Sequence, residues 1–157
     1  MKKASHFDTS GKAKMVDVGN KKISHRSARA AVKVHLNETA YAAVRDNAAA
    51  KGDVLAVAKL AGIQAAKKTP DLIPLCHHIP LNHVEIDFHL DENNRTITIH
   101  SHVTGTARTG VEMEALTACS ITALTIYDML KALQRDIMVT DLLLLEKKGG
   151  ESDDFSR

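Results

Sequence analysis

The chain has 157 residues, which suits one domain with a sizeable core. Apolar residues make up 44% but aromatics only 3%, with no Trp, so the core must be built from Ala, Val, Leu and Ile, and platforms for stacking nucleic-acid bases are scarce. A formal charge of +2, two cysteines and no apolar run near the roughly 20 residues of a membrane span point to a cytoplasmic protein with no nucleic-acid or membrane partner.

Residues 1–22 are polar, interrupted only by Met15-Val16-Asp17-Val18, and read as a flexible N-terminal arm. The opening M-K-K-A-S-H-F-D lacks the apolar run of a secretory signal. Ala30, Val32, Val34 and Leu36 then alternate with Arg29, Ala31, Lys33 and His35, the period of a half-buried strand. Asn37 can cap a helix reaching Ala50, and Lys51-Gly52-Asp53 breaks it. Asp53 begins a second Ala-rich helix that ends near Lys67-Lys68. The segment D-L-I-P-L-C-H-H-I-P-L, from Asp71 to Leu81, holds two prolines that bar a helix, yet it is too apolar for a free loop. It predicts a stiff, partly buried loop presenting Cys76, His77 and His78, and such loops tend to form half of a site.

A hairpin follows. Val84, Ile86, Phe88 and Leu90 alternate with polar neighbours, as do Ile97, Ile99 and Val103, and Asp91-Glu92-Asn93-Asn94 is the turn between them. Thr109 and Glu112 fit a capping box that opens a helix running to about Gln134. Ile137 to Leu145 is the last strand, and its L-L-L-L run implies burial on both faces. The order strand, helix pair, strand, strand, helix, strand predicts an α+β fold of the ferredoxin-like split β-α-β kind, with a four-stranded antiparallel sheet and an extra helix. One domain would cover 23–148, followed by a polar tail over 149–157. The long helix is apolar around most of its circumference, so it needs cover on more than one side and predicts assembly through a dimer interface.

At about 100° per residue, Glu114, Thr117, Thr125, Asp128 and Arg135 share one stripe of that helix, with Lys131 at its edge. Asp128 and Lys131 are three apart and close enough to interact. Such a stripe is either a solvated face or the lining of a cleft, and the buried remainder of the helix favours the cleft. Lys51 precedes a helix start, where backbone N–H groups attract anions. Lys67 and Lys68 sit at the other end, where favourable charge at a helix C-terminus is explanation enough. Arg26, Arg29 and Lys33, with Lys21 and Lys22, make the first part of the chain basic, which suits a compact phosphorylated ligand. Cys76-His77-His78 and His100-Ser101-His102 lack any metal-site spacing, so no metal is expected.

With L-I-P-L-C-H, T-G-V-E-M-E-A-L-T-A and I-Y-D-M-L-K-A-L, the chain resembles the molybdenum cofactor biosynthesis protein C family, whose members are cyclic pyranopterin monophosphate synthases. The resemblance runs from Met15-Val-Asp-Val through K-G-D-V and A-G-I-Q-A-A-K to Lys147-Lys148-Gly149-Gly150. It implies a ferredoxin-like subunit assembled as a homohexamer, a trimer of dimers with interface sites. The implied reaction converts 3′,8-cyclo-7,8-dihydro-GTP to cyclic pyranopterin monophosphate and pyrophosphate. Asp128, Lys51 and Lys131 correspond to the catalytic set, and Leu75, Cys76, His77, Met113 and Glu114 to substrate-binding segments. Arg26, Lys67, Glu112, Arg108 and Lys147 join them as further substrate contacts. His78 departs from the family's usual C-H-P. No cofactor is expected, and whether Mg²⁺ accompanies the triphosphate is left open. The competing readings are a binding module that holds a small anion without chemistry and a metal hydrolase using the histidines.

Overall fold

The computed structural model describes residues 10–150 and 154–157, so the parts of the expected arm and tail over 1–9 and 151–153 lie outside the described residues. Small apolar side chains set the centre of the fold. Ala28, Ala30, Val32 and Val34 alternate along β1 (Ser24–His35) and are fully buried. Arg26 shares that inward face at the end of the strand, whereas Arg29 and Lys33 point the other way. The basic run of the sequence is thus divided between two faces.

Five strands form one antiparallel sheet: β2 (Leu81–Asp91), β3 (Thr96–Ala107), β1, β4 (Met138–Lys148) and β5 (Phe155–Ser156), in that spatial order. The expected four strands are all present. The fifth comes from the supposed polar tail, where Phe155 and Ser156 pair with Lys147 and Glu146. The β2–β3 turn is tied by Asp91, whose carboxylate accepts from the backbone N–H and side chain of Asn94 at 3.1 and 2.7 Å.

The helices are α1 (Glu38–Arg45), α2 (Val54–Lys67), α3 (Thr69–Leu72) and α4 (Glu112–Leu130). Asn37 and Asp53 cap α1 and α2 as the sequence implies, accepting from Ala40 and Ala56. Several expectations need correction. α1 stops at Arg45 rather than Ala50, because Asn47 takes a left-handed φ of 51°. Pro70 sits at the start of α3, where its missing N–H costs nothing, so Asp71 and Leu72 are helical and the stiff loop is shorter than expected. The capping box does not form: Val111 is the N-cap of α4 and no side chain caps it. α4 ends at Leu130, so Arg135 is not part of it. The Leu142–Leu145 run is not buried on both faces of this chain, since Leu142 is 46% exposed. Leu60 and Leu124 are also exposed on the outer sides of α2 and α4.

α2 and α4 approach closely because Gly62 has no side chain. A Cβ there would stand 2.1 Å from Thr122 Oγ1 and 3.1 Å from the Ala118 carbonyl oxygen. Thr122 is fully buried and already donates to that carbonyl. Gly62→Ala should therefore lower unfolding free energy in urea by about 1–3 kcal/mol, and Thr122→Ala in the same chain should recover part of it. Equal stability of Gly62→Ala and wild type would show that the helices can part without cost.

Candidate active site

Asp128 stands in the last turn of α4, and Lys131 is the residue that ends it. Lys51 comes from the turn before α2. These three residues, assigned together from the resemblance, meet within one chain. Lys131 Nζ lies 2.7 Å from Asp128 Oδ1, and Lys51 Nζ lies 3.2 Å from Oδ2 and 2.8 Å from the Asp128 carbonyl oxygen. Hydrogen bonds from Lys131 and then Lys51 hold the Asp128 carboxyl below its ordinary range, and the same bond raises Lys131. The group is thus a carboxylate bracketed by two ammonium ions. All three side chains are about half exposed in the single chain.

The substrate-binding candidates gather at the other end of α4. Leu75, Cys76 and His77 from the proline loop face Met113, Glu114 and Glu112 from the first turn of the helix, across a cavity of about 370 Å³. Arg26, Arg108, Glu112 and Lys147 line a neighbouring cavity of about 420 Å³. Lys21, Thr109, Gly110 and Glu112 line both, so the two are continuous along one wall. The first has an apolar side for a ring, the second a concentration of cations for an anion. Glu112 does not cap its helix. Its carboxylate pairs with Lys147 at 3.1 Å, a contact reaching from α4 to β4. Arg26 is buried and donates to the carbonyls of Ala107 (3.3 Å) and Gly149 (2.9 Å).

The stripe seen in the sequence does not line one cleft. At about 1.5 Å per residue, Glu114 and Asp128 lie roughly 21 Å apart along α4. Glu114 and Thr117 are buried at one end, while Asp128 is exposed at the other. Lys67 stands on the last turn of α2, outside both cavities, where a favourable interaction with the helix terminus suffices to explain it. Lys21, Thr109 and Gly110 were not singled out as site residues, although Lys21 belongs to the basic set visible in the sequence.

Glu114 is 2% exposed, and burial, with a smaller push from the Glu112 carboxylate, raises it from 4.5 to about 7. It can therefore give or take a proton near neutrality. Burial and then Glu114 raise the Cys76 thiol, which argues against a thiolate nucleophile there.

Fold and site together are those of an α+β protein with cation-lined cavities at one end of its long helix and a carboxylate between two lysines at the other. A model of the MoaC family matches residues 15–150, and the chain belongs to that family. It is 53% identical to the cyclic pyranopterin monophosphate synthase of Heliobacterium modesticaldum, over 98% of this chain and 96% of that protein. The synthase of Thermomicrobium roseum is 49% identical over 100% of this chain and 95% of its own length. Molybdenum cofactor biosynthesis protein 1 of Mus musculus is 48% identical over 98% of this chain, which spans 24% of that longer protein. No helix of the described residues is long and apolar enough to cross a membrane.

The Glu114 environment has a measurable consequence. Its folded value lies above its free value, so between about pH 4.5 and 7 the folded chain binds more protons than the unfolded one. Stability should fall as pH rises through that window, by up to about 3 kcal/mol from this group. Glu114→Gln should lose that component of the pH dependence. Parallel pH–stability curves for variant and wild type would show that Glu114 is not buried as an acid.

Proposed function

We propose that this protein is a cyclic pyranopterin monophosphate synthase, a lyase of molybdenum cofactor biosynthesis. On this reading it converts 3′,8-cyclo-7,8-dihydro-GTP to cyclic pyranopterin monophosphate and pyrophosphate. The observation that carries it is the Asp128 carboxylate held between Lys51 and Lys131 in a chain of the MoaC family. Rebuilding the ring and closing a cyclic phosphate require several proton transfers and the departure of a highly charged diphosphate. Asp128, kept ionised, takes protons, while the two ammonium groups donate them and offset negative charge on the leaving group. Arg26 and Lys147 hold the triphosphate, joined by Lys67 if a neighbouring chain brings it near. Glu114 anchors the guanine-derived amino group, and the Leu75–His77 backbone reads the edge of the ring. The reaction needs no resident cofactor, and Mg²⁺, where it takes part, arrives with the triphosphate.

The finer architecture belongs to the same proposal. Residues 23–148 act as one catalytic domain, and the four long strands in the order β2-β3-β1-β4 support a ferredoxin-like description. The roughly 21 Å between Asp128 and Glu114 along α4 argues that the site is completed by a second copy, with the catalytic trio of one subunit facing the cavities of another. Exposed Leu60, Leu124 and Leu142 supply apolar surface for such contacts, and a homohexamer built as a trimer of dimers is the assembly we propose. The two free cysteines suit a cytoplasmic protein.

Asp128→Asn should keep fold and assembly but lower turnover at least about 100-fold, and near-native turnover would refute its role. Lys51→Ala and Lys131→Ala should behave alike. The shared site has its own test: inactive Asp128→Asn and inactive His77→Ala subunits, unfolded together and refolded as mixed oligomers, should regain activity. Mixed oligomers that remain inactive would place the whole site within one chain.

A further inference from the structure

The part of the arm next to β1 has a fixed shape that the proposed chemistry has not used. Asp17 Oδ1 accepts from the Gly19 N–H at 2.8 Å, and the Lys21 N–H donates to the Val18 carbonyl at 3.0 Å, so residues 17–21 make a self-bonded turn. Arg108 holds this turn from outside: its Nη1 donates to the carbonyl of Gly19 and, at 3.2 Å, to that of Lys21. The held segment forms part of the site wall. Val16 and Val18 line the cavity that contains Cys76, His77 and Glu114, and Lys21 lines both that cavity and the cationic one beside it.

We propose that Arg108 is a positioning residue, which latches residues 16–21 as a strap over the junction of the two cavities and thereby sets Lys21 as a further substrate-positioning cation. The inference rests on the activity proposed above and revises the direct substrate contact that the resemblance suggests for Arg108. Both bonds leave from Nη1, so one end of the planar guanidinium is spent on two backbone carbonyls of the same turn, a geometry suited to fixing a loop. The strap adds a charge where ring and phosphate subsites meet, and its valines cover the ring side. Without the latch the turn would still form locally but would sample positions away from the cavities.

The test combines trypsin digestion of the full chain, read by mass spectrometry at Lys21 and Lys22, with steady-state kinetics on cyclised dihydro-GTP. Arg108→Ala and Asp17→Ala should each speed cleavage there several-fold in the ligand-free protein. Each should raise KM roughly tenfold, as the loss of charge-assisted or turn hydrogen bonds implies, with kcat changed by less than about twofold. The double variant should be no worse than Arg108→Ala alone, because both act through one strap. Arg108→Lys should restore part of the protection. If Asp17→Ala leaves KM unchanged while Arg108→Ala raises it, Arg108 meets the substrate directly and the strap is overturned. Unchanged cleavage in Arg108→Ala overturns it too. Should Arg108→Ala fail to fold, Asp17→Ala alone decides between the two. A wild type without turnover sinks the proposed activity and not the strap, which the digestion of ligand-free protein reads separately.

Discussion

The Asp128 carboxylate accepts from two ammonium groups that arrive by different routes, one from three residues along the same helix and one from the turn before α2. The second arrival depends on how the two long helices pack. With Gly62 allowing α2 to lie close to α4, the turn that carries Lys51 is delivered to the C-terminal end of α4. The contact of Lys51 with the Asp128 carbonyl oxygen also satisfies one of the last free acceptors of that helix. The charged cluster therefore closes a helix end as well as presenting chemistry, and helix packing is the constraint that makes it possible.

The same helix separates two kinds of environment. Its first turn puts Glu114 where water is excluded, so that a carboxyl titrates near neutrality. Its last turn puts Asp128 among cations and water, so that a chemically similar carboxyl stays ionised. Two acids on one face thus acquire opposite properties from their surroundings alone. Glu112, at the start of the same helix, lines both cavities and pairs with Lys147, and the other cations of the cationic wall include Lys21, Arg26 and Arg108.

Much of the scaffold was legible because it rests on local rules. The alternation of β1 and of the hairpin, the Asp91 turn, and the caps at Asn37 and Asp53 all appear where the sequence puts them. Asp128 with Lys131 was legible from helical spacing, but Lys51 was not, since it lies 77 positions away and only tertiary packing joins it. Glu112 misled for the same reason: its spacing from Thr109 suits a cap, whereas its partner Lys147 comes from a distant strand. The leucine run of β4 was read as doubly buried, but this chain's helices cover one face of the sheet only. β5 was missed because two residues carry no periodicity. The arm next to β1 is bonded to Arg108, whose two carbonyl partners leave no trace in sequence spacing.

Exposure of the trio bears on where its chemistry can run. Two unit charges about 4 Å apart interact by about 1 kcal/mol in water and about 4 kcal/mol near a protein surface. Half-exposed lysines beside Asp128 sit toward the weak end of that range, within reach of solvent screening. A covering subunit would displace that water, strengthen both lysine contacts with a diphosphate, and shift the balance between Asp128 and its partners toward proton exchange. Assembly on this view contributes dielectric as well as residues. On the proposed assembly, the free subunit carries these groups in a screened state, and a second chain closing over them would bring them to full strength.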